Sequence, residues 1–220
     1  MKKNLFYIII CNILHPFLNF TYKLSIIGSE KIPKSGRLII CSNHTSNADP
    51  ILLALASKRP IRFMSKSELF KNKIFAMFLK KVGAFPVNRK GSSGDAISVC
   101  FKILEDEEVL GIFIEGTRSK TGKLLRPKSG ASMISLKTGT PILPVCISST
   151  KNDGKVKIFT KTKVEFGDVI FPDEILFSKK DDILNNKKEE SVFLGGISKL
   201  DLKLINEEIM AQIAFLKAKI

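Results

Sequence analysis

Hydrophobic residues follow two patterns along this chain: short continuous apolar runs, and longer stretches with an apolar residue every three or four positions. Continuous runs of about four to eight apolar residues are typical of buried strands, and the wider spacing is typical of helices. Pro and Gly residues separate most of these segments. The predicted strands are residues 37–41, 61–64, 109–114, 140–147, 155–159 and 162–166, and the predicted helices are 49–56, 68–82, 95–105, 127–137 and 198–218.

Several of these segments carry a more specific expectation. The apolar face of helix 68–82, which Ser67 is predicted to cap, is so wide that the helix is either fully buried or partly in contact with lipid. Pro141 and Pro144 predict that strand 140–147 begins at a sheet edge or at the rim of a pocket. Segments 155–159 and 162–166 alternate and predict a pair of strands with one solvent-facing side. The polar stretch 167–196 predicts a loose insertion.

Residues 5–20 form the most apolar part of the N-terminal region, although Pro16 interrupts them. A membrane-spanning helix needs about 20 clean apolar residues, and a signal peptide needs small residues at its cleavage site. Neither requirement is met here. We therefore predict an interfacial helix or helix pair in the cytoplasmic leaflet, with lysines near the lipid headgroups. A core helix and a single membrane span are the alternatives, and His15 is predicted to be a polar position without a catalytic role.

Composition limits the classes of partner. The 220 residues, 44% of them apolar, are enough for one large α/β domain. The formal net charge is +15, from 36 basic and 21 acidic residues, and such a surface attracts phosphate on lipids, small substrates or nucleic acids. Basic and aromatic residues are not interleaved as in an RNA-binding surface, so no nucleic acid partner is predicted.

Cysteine and histidine usage argues against a metal centre. The four cysteines stand singly in apolar surroundings, without the paired spacing of a zinc site, which predicts buried, reduced thiols in a cytosolic compartment. The two histidines, His15 and His44, are too few and too distant for a typical zinc site. We therefore predict no metal and no cofactor.

The first candidate site is the turn between strand 37–41 and the helix after it. Pro50 suits the first helical turn and Asp49 is the predicted N-cap, which leaves His44 on the loop upstream. A loop that folds back onto a helix start can bring imidazole and carboxylate together, and the carboxylate then fixes the ring tautomer of a general base. No nucleophile lies nearby at a recognisable spacing, so the base is predicted to act on a substrate hydroxyl. The alternative is ordinary helix capping.

The second candidate site is the Glu-Gly-Thr-Arg-Ser run that follows strand 109–114. Backbone N–H groups near Gly116, the hydroxyl of Thr117 and the planar guanidinium of Arg118 together suit a phosphate monoester. Glu115 is predicted to orient Arg118 or to accept a hydrogen bond from a substrate hydroxyl. The alternative is a surface turn with a routine salt bridge.

Four short segments, each weak alone, occur in the order of one known family. Residues 43–49 match its NHxxxxD block, residues 83–89 resemble a second block that ends in Arg, residues 113–119 resemble the third, written FPEGTRS, and residues 141–145 resemble the fourth. The chain therefore resembles the glycerophospholipid acyltransferases, most closely those that acylate 1-acyl-glycerol 3-phosphate (lysophosphatidate). Ile114 replaces the usual Pro of the third block, and Asn88 replaces an acidic residue common in the second.

The resemblance implies a fold and a reaction. The fold is α/β, with a mixed, largely parallel sheet flanked by helices; residues 1–25 would form a membrane-anchoring helical segment and residues 26–220 the acyltransferase domain. The reaction would move a fatty acyl group from a thioester of coenzyme A or acyl carrier protein to the sn-2 hydroxyl of lysophosphatidate, giving phosphatidic acid. It would take place at the cytoplasmic face of an anionic phospholipid membrane.

The resemblance also implies residue roles. His44 would be the general base and Asp49 would hold its ring, backbone N–H groups near that loop would stabilise the oxyanion, and no covalent enzyme intermediate would form. The implied substrate-binding residues are Arg89, Glu115, Gly116, Thr117 and Arg118; Lys128 is added from its charge alone. Two other interpretations remain open: acylation of another lysophospholipid or of glycerol 3-phosphate, and a non-enzymatic basic protein that binds membrane or nucleic acid.

Overall fold

A computed structural model describes residues 5–87, 93–151, 154–184, 193–194 and 197–219. The apolar runs of the sequence form its strands, which are β1 Ser25–Ile27, β2 Leu38–Ser42, β3 Ile61–Lys66, β4 Phe85–Val87, β5 Val109–Phe113, β6 Ile142–Ser149 and β7 Thr162–Phe166. They form one sheet in the order β1-β7-β6-β2-β5-β3-β4. Strands β4, β3, β5, β2 and β6 run parallel, whereas β7 is antiparallel to β6 and carries β1 parallel to it. The predicted mixed, largely parallel sheet is confirmed.

Helices cover both faces of this sheet because successive residues of a buried strand point to opposite sides. Leu38 and Ile40 pack with Leu52 on one face, whereas Ile39 and Cys41 pack with the helices of the other face. The helices are α1 Leu5–Tyr22, α2 Asp49–Ser57, α3 Lys73–Lys81, α4 Ser93–Glu105, α5 Gly130–Thr138, α6 Pro172–Leu184 and α7 Lys199–Ala218. Short 3₁₀ turns occupy Ser29–Lys31 and Ser67–Phe70, and a small ribbon pairs β8 Phe193–Leu194 with β9 Ile197–Ser198.

The C-terminal helix α7 agrees with its sequence pattern. The Ser198 side chain accepts a hydrogen bond from the Asp201 backbone, and the Asp201 carboxylate accepts one from the Ser198 backbone, which forms a capping box. The predicted apolar stripe is buried against the sheet at Ile205, Ile209 and Ile213. The helix therefore begins and ends within a residue of the prediction.

The N-terminal segment is one helix, α1, which continues through Pro16. The hydroxyl of Tyr7 donates to the carbonyl oxygen of Ala54 at 3.1 Å, and Leu18 is buried on the same side of the helix. These contacts attach α1 to α2. None of the helices in the described part of the chain is both long enough and apolar enough to cross a membrane.

The prediction for helix 68–82 was wrong about the residue at which the helix begins. One of its two alternatives, a fully buried helix, was also wrong. A 3₁₀ turn at Ser67–Phe70 precedes α3, and the Asn72 side chain accepts from the backbone N–H of Ile74 at 3.0 Å, so Asn72 caps the helix in place of Ser67. Ile74 and Met77 are 78% and 55% exposed, which excludes a fully buried helix.

The predicted strand 155–159 and one of the two alternatives for the start of β6, a sheet edge, were also wrong. Residues 155–159 are not a strand, because Val156 points into the core while Ile158 and Phe159 point to solvent. Strand β6 lies between β2 and β7 and not at an edge. Pro144 is tolerated there because its nitrogen faces β7, and the β6–β7 ladder begins one residue later, at Val145.

The predicted loose insertion 167–196 contains helix α6, which begins at Pro172, a residue suited to a helix start. Leu176 and Ile175 of this helix pack against the core. Most of the polar residues after Leu184 lie outside the described part of the chain.

Candidate active site

The two candidate loops lie side by side because β2 and β5 are neighbouring parallel strands. Ser42, the last residue of β2, is the partner of Phe113, the last residue of β5. The loops that follow therefore leave from the same carboxyl edge of the sheet, where ligands bind in many α/β proteins. The backbone N–H of Ser119 donates to the carbonyl oxygen of His44 at 2.7 Å, which joins one loop to the other.

Asn43 fixes the first loop to the sheet. Its side-chain amide donates to the carbonyl oxygen of Ile147 at 2.8 Å and its side-chain oxygen accepts from the Ile147 backbone N–H at 2.8 Å. Asn43 is 1% exposed, so both bonds form away from competing water. This side chain continues the β2–β6 pairing for one residue beyond the strand and determines where His44 begins its turn.

His44 and Asp49 form a hydrogen-bonded pair. The ring Nδ1 lies 2.8 Å from Asp49 Oδ2. Because a carboxylate only accepts hydrogen bonds, Nδ1 of the neutral ring carries the proton, and Nε2 keeps the lone pair that can remove a proton from a substrate. His44 is partly open to solvent, with 17% of its side chain exposed, whereas Asp49 is 0% exposed.

Asp49 holds the loop as well as the ring. The same Oδ2 atom accepts from the backbone N–H of Thr45 at 2.6 Å and of Ser46 at 2.8 Å. The prediction that Asp49 is the N-cap of α2 was wrong: the cap position is Ala48, and Asp49 is the first helical residue. Its carboxylate folds back over the loop because three donors, all N-terminal to it, surround this oxygen.

An aromatic wall lies against the His44 ring. The Phe113 ring stacks on it, with centroids 4.0 Å apart and planes 17° apart, and Phe63 stacks on Phe113 at 5.8 Å. The wall fixes the plane of the imidazole and covers one of its faces with apolar surface. Sequence reasoning did not assign Phe113 a role, although it occupies the first position of the third family block.

Arg118 extends from the second loop to the first. Its guanidinium donates to the side-chain oxygen of Asn47 at 2.7 Å, and both residues are exposed. The sequence-based prediction gave Asn47 no role, although its place inside the NHxxxxD block is a signal that could have drawn attention to it. The contact places a cation beside the His44 loop in a region open to a ligand.

Glu115 is not placed for either of its predicted roles. It is 1% exposed and lies beneath the loop, while Asn47 orients Arg118. Burial raises the pKa of the Glu115 carboxyl to about 7; the nearby backbone N–H groups of Leu125 and His44 oppose this rise, although neither meets the geometry of a full hydrogen bond. Glu115 therefore lies inside the protein and not at the surface where a ligand would bind.

Gly116 makes the turn between the buried strand and the exposed loop. Its φ of +69° favours glycine, and a Cβ atom there would lie 3.1 Å from Lys128 Cγ, so the Lys128 side chain lies across this residue. The Gly116 N–H donates to Phe113 O at 2.9 Å. The backbone N–H groups of Thr45, Ser46, Gly116 and Ser119 thus have acceptors within the protein, so these four groups are not available to an oxyanion or a phosphate. The prediction that other backbone N–H groups of the loops bind an oxyanion or a phosphate stays a prediction.

Residues 23–148, which contain both loops, match the family described as Acyltransferase. The match includes more than half of the chain. This chain belongs to the Acyltransferase family. The family predicted from the four sequence blocks is thereby confirmed.

Named relatives agree with this family assignment. A 1-acyl-sn-glycerol-3-phosphate acyltransferase of Borreliella burgdorferi is 34% identical over 132 residues, which are 59% of this chain and 53% of that protein. A protein of the same name from Bacillus subtilis is 32% identical over 155 residues, 70% of this chain and 76% of that protein. The chain therefore spans about half the length of the first relative and three quarters of the second.

A solved acyltransferase has a similar fold. The crystal structure of the 1-acyl-sn-glycerophosphate (LPA) acyltransferase PlsC from Thermotoga maritima aligns with a TM-score of 0.62 and 27% sequence identity, covering 89% of this chain and 72% of that chain. In this member of the Acyltransferase family, the predicted site residues His44, Asp49, Gly116, Thr117 and Arg118 lie on two adjoining loops. Arg89 lies outside the described residues, and its role stays a prediction.

Proposed function

We propose that this acyltransferase moves an acyl group from an acyl thioester to the sn-2 hydroxyl of 1-acyl-glycerol 3-phosphate, which forms phosphatidic acid. The observation that carries the proposal is the His44–Asp49 pair, at 2.8 Å, beside a loop that presents an exposed Arg118. The names of the relatives from Borreliella burgdorferi and Bacillus subtilis support the same acceptor.

The base is needed because an alcohol is scarcely ionised at neutral pH. His44 Nε2 takes the proton of the acceptor hydroxyl as its oxygen attacks the thioester carbonyl carbon. A C–O bond forms, the C–S bond breaks, and the imidazolium returns the proton to the departing thiolate. Asp49 stabilises the charged ring while this proton is held, as the carboxylate does in a catalytic triad. No covalent enzyme intermediate is required.

The loop that contains Arg118 would hold the acceptor in place by binding its phosphate. The Arg118 guanidinium is planar and exposed, so it can bind a phosphate through two hydrogen bonds. The hydroxyl of Thr117 lies on the same loop, and the side chain of Lys128 lies beside that loop. Arg89 is proposed as a further phosphate ligand from its sequence block alone. Holding the phosphate here would set the sn-2 hydroxyl against His44, an effect of positioning and not of acid–base chemistry.

The acyl donor and the location are part of the same proposal. The donor is a thioester of coenzyme A or acyl carrier protein, and no cofactor is needed. The enzyme would work at the cytoplasmic face of an anionic membrane, attached through α1, where Phe17 and Phe20 are 63% and 75% exposed. A peripheral attachment of this kind brings a lipid acceptor to the site without removing it from the bilayer.

A thiol-release assay tests the proposal. Purified protein is mixed with acyl-CoA or acyl carrier protein thioester and, in parallel, lysophosphatidate, glycerol 3-phosphate and lysophosphatidylcholine. We expect the fastest thiol release, together with phosphatidic acid, from lysophosphatidate. Faster release with glycerol 3-phosphate would assign another acceptor, and no release above that of the His44→Ala protein with any pair would reject an acyltransferase activity.

A further inference from the structure

The loop at residues 154–161, between β6 and β7, presents a pair of apolar residues to solvent. Ile158 and Phe159 are 59% and 66% exposed. Phe159 has a φ of +61°, a conformation that is rare for an aromatic residue. Exposing two large apolar side chains on a turn of this shape does not contribute to the core, so the fold itself does not explain it.

Two hydrogen bonds attach this loop to functional parts of the chain. The Val156 backbone N–H donates to Thr45 Oγ1 at 3.3 Å, and Thr45 is the residue after His44. Three residues further on, the Phe159 backbone N–H donates to the carbonyl oxygen of Thr21 at 2.7 Å, in the last turn of α1. The loop therefore links the end of α1 to the His44 loop.

Helix α1 has a stripe of exposed apolar residues that extends toward loop 154–161. Ile9, Ile13, Phe17 and Phe20 are 46%, 62%, 63% and 75% exposed. Their spacing of four, four and three residues puts them on one face of the helix, away from the side on which Tyr7 and Leu18 are buried. The stripe ends beside the turn that bonds to Phe159.

Charge distinguishes a lipid surface from other occupants. Residues 154–161 contain three lysines and no acidic residue, and α1 contains no charged residue. Lys157, Lys161 and Lys23 are exposed around the apolar residues. Apolar side chains surrounded by cations suit an anionic bilayer, whereas a second copy of this surface would bring like charges together.

We infer that loop 154–161 is a second bilayer-inserting element, which together with α1 docks the protein on an anionic membrane. Because the loop also holds Thr45, docking would set the His44 site at the lipid surface. The membrane contact is independent of the proposed reaction, and only its effect on turnover rests on the proposed function.

The test compares vesicle binding of three full-length proteins. The Ile158→Ser/Phe159→Asn protein removes the apolar pair, and Asn tolerates the positive φ at 159. Phe177→Ser is the matched control, since Phe177 is 80% exposed on α6, which packs on the opposite face of the sheet. Vesicles of phosphatidylcholine with phosphatidylglycerol should bind the double variant on the order of tenfold more weakly than wild type, because apolar burial in the interface is lost. The control should bind normally.

A second variant, Lys157→Gln/Lys161→Gln, tests the charge without changing the turn. We expect a loss of about fivefold per lysine with anionic vesicles, and no loss when phosphatidylglycerol is omitted. Normal binding by both variants would overturn the inference. A dimer that wild type forms and the apolar variant does not, with unchanged vesicle binding, would also overturn it and assign the surface to a second copy.

Activity measurements separate this inference from the proposed function. The apolar variant should lose turnover on long-chain lysophosphatidate in vesicles and keep it on a short-chain, monomeric lysophosphatidate. If wild type acylates neither acceptor, the proposed function fails, but the binding comparison still decides the role of the loop.

Discussion

The two loops of the site differ in how far they are assembled without substrate. In the His44 loop, Asp49 is fully buried and accepts three hydrogen bonds through one oxygen. In the neighbouring loop, Arg118 is exposed and its guanidinium bonds to Asn47 at the surface. The comparison teaches that the proposed base is held in place before substrate binds, as proton transfer requires, whereas the proposed phosphate-binding groups stay open to a ligand.

Replacing the base should have the largest effect. His44→Ala should lower kcat by roughly 10²–10⁴, because proton transfer from the acceptor hydroxyl loses its partner. Measured with the thiol-release assay at saturating lysophosphatidate, the loss should appear in kcat. His15→Ala is the matched control, since it removes the other of the two histidines from an exposed position on α1. Equal turnover of the two variants would remove His44 from the mechanism.

The buried carboxyl of Glu115 predicts that the stability of the protein depends on pH. The pKa of Glu115 is raised from 4.5 to about 7 in the folded protein, so the folded state binds its proton more tightly than the unfolded state. The free energy of unfolding should therefore fall as pH rises from about 4.5 to about 7, and this group contributes a fall of about 3 kcal/mol at most. Urea unfolding at both ends of this range measures it. In Glu115→Gln this part of the pH dependence should disappear; an unchanged profile would contradict the assignment.

Replacing the exposed Arg118 should weaken the binding of lysophosphatidate. Arg118→Ala should raise KM for lysophosphatidate by about 10- to 100-fold with a smaller change in kcat, the usual size for a charged hydrogen bond. Initial rates over a range of acceptor concentrations measure this. Arg126→Ala, which removes another exposed Arg from the same region, should leave KM near wild type. An unchanged KM in Arg118→Ala would argue for another acceptor.

The smallest effect is expected at the contact between the loops. Asn47→Ala should raise KM for lysophosphatidate by roughly fivefold, since it removes one hydrogen bond that holds Arg118 at 2.7 Å. The double variant with Arg118→Ala should be no worse than Arg118→Ala alone, because both changes act through the same guanidinium. Additive losses would show that Asn47 contacts the substrate by a route of its own.

Much of the site was predictable because its chemistry is local in sequence. His44 and Asp49 are five residues apart at a strand–helix turn, and Thr117 and Arg118 directly follow a strand, so residue type and position were enough to propose their roles. The same holds for α7, whose cap and apolar spacing define its ends. Periodicity and turn residues are properties that a linear sequence displays.

Where the prediction was wrong, residues distant in the chain decided the result. Residues 155–159 look like a strand, yet Val156 bonds to Thr45 and the next apolar residues turn outward; Glu115 looks like a ligand, yet it is buried under its own loop. Burial and partner choice depend on which strands become neighbours, and spacing along the chain does not encode that. The sequence alone determined the chemical groups, most of the strands and helices, and the family. The pairing of β2 with β5 decided that imidazole and guanidinium share one edge of the sheet.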